Sequence, residues 1–354
     1  GAAIVALPVD GDGEDIADLI EKWHGELLLD SEQKALVQEL VDSGLKQDKP
    51  WLCGVELSRC LAKAALDRAG TFVPATFVST GYLGLDRALC GGFALGECSS
   101  LFAPSSMGKT TFMANLALNL AAAKTPCCIL SLEMRAGDIW RLLSGLYGSV
   151  PRGHIRQGAY AAGEIQALDE AVRGLREMPL YVVERMQFPP DEDSPGAPTS
   201  GAISAVLREG VDRCGWKVVF LDYLTKVGPF GGPEIERLPG LTAWVQDQAQ
   251  RLGVHFVSLV QSNKASYARK DKTGKRGSEL QDAKGSVEVV ADFDNCLSLM
   301  RDDWNTDEPQ DPSPSVCRVL KARQGPTGVV KMRFFRSLGR IEEEPPDMGQ
   351  PREE

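Results

Sequence analysis

Long apolar runs are missing from this sequence. None reaches the roughly 20 residues that a helix needs to cross a bilayer, so no membrane span is expected. No secretion-signal pattern is visible. Excess positive charge is missing too: 49 acidic residues outnumber 39 basic ones, for a formal net charge of −10. That excludes a histone-like protein that coats nucleic acid with its whole surface. It leaves room for a local basic groove. Metal-site spacing is lacking as well. The nine cysteines (Cys53, Cys60, Cys90, Cys98, Cys127, Cys128, Cys214, Cys296 and Cys317) form no CxxC pair and no zinc-type pattern with histidine. Several lie in apolar runs, so they read as buried free thiols of a reducing cytosol rather than disulfides. What remains is the composition of a globular protein of 354 residues, enough for one large domain or two smaller ones. The chain opens on Gly1 rather than Met, so its natural start is expected upstream.

What is present is organised around Leu101–Phe112, read LFAPSSMGKTTF. A short apolar strand, Ser99 to Phe102, runs into a turn, and a helical pattern follows at once. A strand, a glycine-containing turn with Gly-Lys-Thr, and a helix together form a phosphate-binding loop. Each part has a physical reason. Turn N–H groups cradle phosphate oxygens, and the helix N-terminus adds partial positive charge. Lys109 brings a full charge to the β- and γ-phosphates, and Thr110 brings a hydroxyl to Mg²⁺. Gly108 lets the backbone come close because it has no Cβ. Ala103, Ser105, Ser106, Met107, Gly108, Lys109, Thr110 and Thr111 are therefore the expected nucleotide-binding set. Ala103 stands where the general pattern has its first glycine, a mild departure. ATP and Mg²⁺ are the expected ligands.

The rest of the chain alternates. Helical patterns are expected at Thr111–Ala123, Asp138–Gly148, Gly163–Glu177, Ala202–Cys214 and Leu241–Leu252. Buried strands are expected at Cys127–Leu132, Leu180–Glu184, Trp216–Asp222 and Val254–Val260. Phe188–Gly201 reads as a mobile acidic loop, and Pro229–Pro239 as a Gly/Pro-rich loop. Val287–Met300 returns to apolar character. Val316–Ala322 and Gly328–Phe335 read as paired strands, and the acidic stretch from Glu342 as a disordered tail. Such alternation implies an α/β domain with a mostly parallel sheet and helices on both faces. Ligands then bind at the carboxyl ends of the strands. Ala103–Thr110, Glu133, Asp222 and Gln261 all fall at such ends.

Their chemistry suits phosphoryl transfer. Asp222 closes the apolar run Val218–Leu221, where an acid can hold a Mg²⁺ hydration shell; an acid there is also a common turn residue. Glu133 ends the strand after the loop helix, where a carboxylate can orient an attacking water, or simply favour a helix start. Gln261 can sense a γ-phosphate or cap a loop. Arg323, on its residues alone, is a basic side chain at a strand end.

Six segments in order carry a resemblance. They are Ser79–Asp86 (STGYLGLD), SSMGKTTF, Ser131-Leu132-Glu133-Met134, Leu221-Asp222-Tyr223-Leu224, Gln261-Ser262-Asn263-Lys264, and Lys321–Gly328 (KARQGPTG). Residues 79–344 resemble the RecA-like ATPase domain of the DnaB family of hexameric replicative helicases, relatives of phage primase–helicases and mitochondrial Twinkle. The resemblance implies a RecA-like P-loop fold over 76–344, with 345–354 a disordered tail. It makes Glu133 the catalytic carboxylate, and Gln261 the link between nucleotide state and DNA-binding loops. Lys321 and Arg323 would act on the ATP of a neighbouring subunit, Arg323 as an arginine finger. It further implies a cytoplasmic ring of a bacterial or phage-infected cell (or an organelle matrix protein, if Twinkle-like) that moves 5′→3′ on single-stranded DNA. Primase, a helicase loader and other replisome proteins are the implied partners. The other readings are a RecA- or KaiC-type ATPase that does not unwind, and a nucleotide-switched DNA-binding or loading protein.

Two further stretches matter. Lys264, Arg269, Lys270, Lys272, Lys275 and Arg276 cluster in an otherwise acidic chain, as phosphate contacts require. The following SELQDAKGS resembles the family's DNA loop, with Gln281 where an arginine is usual; Gln281, Lys284 and Gly285 join the expected DNA contacts. At the front, residues 1–30 resemble the last strand and helix of a toprim primase module. Residues 31–75 read as a small helical linker or satellite that precedes the motor.

Overall fold

The computed structural model describes residues 77–188, 198–228, 234–261, 292–301, 303 and 310–345. The expected toprim remnant, the helical segment 31–75, the basic stretch Lys264–Gly285 and all but the first residue of the 345–354 tail lie outside the described residues.

Two short paired strands, β1 (Phe77–Val78) and β2 (Phe93–Ala94), flank helix α1 (Leu83–Ala88). The main body follows as β3 (Cys98–Ala103), α2 (Lys109–Ala122), β4 (Cys127–Ser131), α3 (Ala136–Gly148), α4 (Arg152–Gln157), α5 (Glu164–Arg176) and β5 (Leu180–Glu184). Then come α6 (Ser200–Cys214), β6 (Val218–Asp222), α7 (Glu234–Leu252), β7 (His255–Gln261), β8 (Asn295–Arg301), β9 (Ser313–Ala322), β10 (Gly328–Phe335) and β11 (Arg340–Glu343). The nine-stranded sheet runs β11-β10-β9-β8-β3-β7-β6-β4-β5. Its pairings from β8 to β5 are parallel, and those from β8 to β11 are antiparallel.

The central strands are buried along their whole length, as their continuous apolar sequences require. Successive side chains alternate between two cores. Leu101, Ile129 and Phe220 pack with Phe112, Leu116, Ile139 and Leu143 of α2 and α3. Phe102, Leu130 and Leu221 pack on the other face with Ile203, Leu207, Leu241 and Val245 of α6 and α7. Helices thus cover both faces, as expected. Helix α2 is apolar nearly all round, so both its sequence and its burial place it inside. Its Asn115 is a buried polar residue with its hydrogen bonds placed. The side-chain amide donates to the carbonyls of Thr111 (2.8 Å) and Gly339 (2.9 Å), and its oxygen accepts from Ile341 N–H (3.0 Å). One side chain therefore fastens the β10–β11 turn to the loop helix.

Two expectations are corrected. Residues 234–239 are not loop: α7 starts at Glu234 and contains Pro239. A proline near a helix start deletes one backbone bond, and buried Leu238, Leu241 and Val245 hold the turn in place. Nor is Glu342 the start of a tail. β11 pairs with β10 because Ile341 fills the core, Glu342 faces Arg333 at 3.6 Å, and Glu343 accepts from Gly84 N–H at 2.7 Å. Residues 189–197 of the expected acidic loop lie outside the described residues, while Ser200 and Gly201 open α6, capped by the Thr199 side chain. The STGYLGLD segment is a built turn: the Asp86 carboxylate accepts from Ser79 Oγ (2.5 Å), Thr80 N–H (2.8 Å) and Thr80 Oγ1 (2.7 Å). Among the described residues no helix is long and apolar enough to cross a membrane.

Candidate active site

Strand β3 delivers the chain to the loop, and α2 receives it. Gly108, the residue before α2, has φ of 107°. A side chain there would be strained, so the glycine is a backbone requirement. Lys109 opens the helix and folds back over the turn. Its ammonium donates to the carbonyls of Ala103 (2.5 Å) and Pro104 (3.0 Å). Burial lowers the Lys109 pKa to about 8, against the Asp222 and Glu133 carboxylates, which raise it.

Thr110 Oγ1 donates to Asp222 Oδ2 at 3.0 Å. Asp222 ends β6 and is nearly fully buried. Burial raises its pKa to about 6, helped by the negative charge of Glu133; the Thr110 hydroxyl and Lys109 work the other way. A cation brought to this acid would therefore be strongly favoured. The donor set is a hydroxyl and a carboxylate, both hard oxygens, and among the described residues no group of three His, Cys, Asp or Glu surrounds them. That fits Mg²⁺, which takes one or two protein oxygens and completes its shell with water and substrate phosphate.

Glu133 lies just beyond β4, exposed, and close enough for its charge to act on both Lys109 and Asp222. Gln261 is exposed at the end of β7, directly opposite Ala103 in the parallel register. Ser131 stands opposite Asp222 in the same way. The structure thus brings Lys109, Thr110, Asp222, Glu133 and Gln261 to one edge, as parallel strands with a common polarity must.

Arg323 and Lys321 are not brought there. Lys321 Nζ donates to the carbonyl of Phe293 (2.7 Å), and Arg323 Nη1 pairs with Asp294 Oδ1 (2.6 Å). Asp294 is bound to the backbone of Cys98, the first residue of β3. The phosphate loop begins at the other end of β3, five residues on. At about 3.3 Å per residue the separation is roughly 16 Å.

Sequence reasoning missed a second basic group beside the loop. Arg301, buried at the end of β8, reaches the Ser106 carbonyl (Nη2 to O, 3.5 Å) and lies 5.0 Å from the Phe334 ring centroid. Asp303 lies 3.6 Å from Arg301 and 3.3 Å from Arg336. The signal was an arginine closing an apolar run at the same sheet edge.

The chain is similar in sequence and fold to known proteins. The replicative DNA helicase DnaC of Bacillus subtilis (strain 168) is 25% identical over 270 residues, which is 75% of this chain and 56% of that protein. The replicative DNA helicase DnaB of Haemophilus influenzae is 27% identical over 270 residues, 75% of this chain and 55% of that protein. The chain spans about half the length of the curated relatives it matches. Among solved structures, one ATPase domain superposes with a TM-score of 0.69 at 21% identity, covering 80% of this chain and 97% of that one. A DnaB-like replicative helicase, solved in a study of its interactions with primase, also gives 0.69 at 21% identity, covering 92% and 74%. These two likenesses establish the fold. The profile of the DnaB-like helicase C-terminal domain matches residues 77–343, and the chain belongs to that family.

Proposed function

We propose that this chain is the motor part of a replicative DNA helicase, an ATPase that works as a ring on single-stranded DNA. The observation that carries the reading is the joining of Lys109, Thr110 and Asp222 at one sheet edge, with the Glu133 charge beside them. In this reading the loop N–H groups and Lys109 hold the triphosphate, and Thr110 and Asp222 hold Mg²⁺. The bound Mg²⁺ supplies charge neutralisation at the β- and γ-phosphates. Glu133 accepts a hydrogen bond from the attacking water and orients it. Gln261, level with the start of the loop, reports the state of the γ-phosphate toward the segment that follows it. Lys321 and Arg323 lie roughly 16 Å along β3 from their own loop, so they serve the nucleotide of the next copy. Catalysis then requires an oligomer, with six copies as the family's arrangement. The DNA contacts assigned to Lys264, Arg269, Lys270, Lys275, Arg276, Gln281, Lys284 and Gly285 belong to this reading, as do a primase or loader as partners.

The test is unwinding of a forked duplex with ATP. Unwinding should depend on Lys109, vanish in Lys109→Ala, and require the 5′ tail. ATP turnover without unwinding, in a chain extended upstream, would overturn the helicase reading in favour of a RecA-type ATPase.

A further inference from the structure

Two consecutive residues hold both cations of the Lys-x-Arg pair. The Phe293 carbonyl takes Lys321, and the Asp294 carboxylate takes Arg323. The carboxylate is built differently from the cation it holds. Arg323 keeps 64% of its side chain exposed, whereas Asp294 keeps 7%. Asp294 cannot swing. Its second oxygen accepts from the Cys98 N–H at 2.9 Å, and its own N–H donates to the Cys98 carbonyl at 3.0 Å. The turn that follows Arg323 is pinned as well: at Gly325 a Cβ would lie 2.3 Å from the Ala88 carbonyl oxygen, so helix α1 sits directly against it.

A pair with one partner so exposed adds little to stability, because water screens it. The Asp294 anchor therefore calls for another purpose. An exposed arginine samples many rotamers, and ordering it at the moment of reaction costs entropy. Its guanidinium carries five donors in a rigid fork. Spending Nη1 on a fixed carboxylate leaves further donors for another partner, on a side chain that stays largely exposed.

We propose that Asp294 is the positioning residue for Arg323, holding the guanidinium pre-oriented for the phosphate of a neighbouring copy. The inference rests on the trans role given to Arg323 above. The hydrogen bond to Asp294, with its negative charge, also raises the Arg323 pKa, so the cation is further secured. Asp294 touches no substrate; it acts through Arg323 and lies three residues past the chain segment 262–291.

The experiment uses the full chain and measures DNA-stimulated ATP turnover in Asp294→Asn, Arg323→Ala and the double variant. Asparagine can still accept from the Cys98 N–H while losing the charge. Expected is a fall in kcat of roughly a hundredfold, the scale of a misplaced catalytic group, with KM and fluorescent-nucleotide binding changed by less than about twofold. In the Arg323→Ala background the same substitution should cost less than about twofold. An undiminished kcat in Asp294→Asn, or an equal loss in both backgrounds, overturns the positioning role and leaves the arginine finger standing. Full activity in Arg323→Ala overturns the finger itself, and the positioning role with it. Melting temperature and nucleotide binding report folding. If Asp294→Asn fails them, Asp294→Ser, which keeps a hydroxyl acceptor, is read by the same criteria.

Discussion

The Thr110 hydroxyl and the Asp222 carboxylate meet at 3.0 Å, although 112 residues separate them in the chain and β7 lies between β6 and β3, the strand that leads to Thr110. The bond is possible because the five-residue turn after β3 starts α2 at the same sheet edge where β6 ends. It fixes the direction of both oxygens before any ligand arrives. That is the preorganisation a Mg²⁺ site needs, since Mg²⁺ tolerates little departure from its preferred geometry.

Asp222→Asn keeps an acceptor for Thr110 but removes the charge. ATP turnover should fall on the order of a hundredfold, and the Mg²⁺ concentration for half-maximal rate should rise. A Mg²⁺ titration of ATP hydrolysis checks both. An unchanged titration curve would show that the acid serves the fold alone.

Glu133→Gln should bind ATP normally and turn it over about a hundredfold or more slowly, the scale of a lost general base. Burial constrains this side chain little, since it is exposed, so the variant should melt at the wild-type temperature. Equilibrium nucleotide binding and single-turnover hydrolysis separate the two effects. Near-normal turnover would remove Glu133 from its role.

His255 predicts a pH dependence of stability. It is fully buried between Ser99 Oγ (2.9 Å from Nε2) and the Ala94 carbonyl (2.7 Å from Nδ1), with the Phe93 ring stacked at 4.5 Å. Burial lowers its pKa from 6.5 to about 4, against the Ala94 hydrogen bond and the Asp294 charge. The unfolded chain therefore binds a proton in this window that the folded chain refuses. Stability is complete above pH 6.5 and is lost as pH falls toward 4, by roughly 2 kcal/mol between pH 7 and pH 5. His255→Asn keeps a donor near Ala94 and should flatten that part of the curve. Urea unfolding at both pH values decides it; equal slopes in the two proteins would sink the assignment.

Much of this molecule was legible beforehand, for a physical reason. Buried parallel strands are written as continuous apolar runs, so Val218–Asp222 and Leu180–Glu184 announced themselves, and their shared polarity placed Asp222 and Gln261 near Lys109. Helix α7 was harder. Pro239 signals a break, and only the burial of Leu238 and Leu241, a tertiary fact, keeps the helix going. β11 hid behind its charge: three glutamates in a row look like solvent, yet Ile341 and the partners of Glu342 and Glu343 make a strand. Asp294 was invisible for a different reason. Nothing local distinguishes it; its meaning comes from Cys98 and Arg323, which are far away in the chain.

Strand β3 has six residues, and hydrogen-bonded neighbours on both sides hold it extended. It behaves as an inextensible strut. One end leads into the phosphate loop, and the other is bonded to Asp294, which holds Arg323. The spacing between those ends cannot stretch or shorten during a cycle. A displacement at one end therefore arrives undiminished at the other, and the strand moves as a stiff lever.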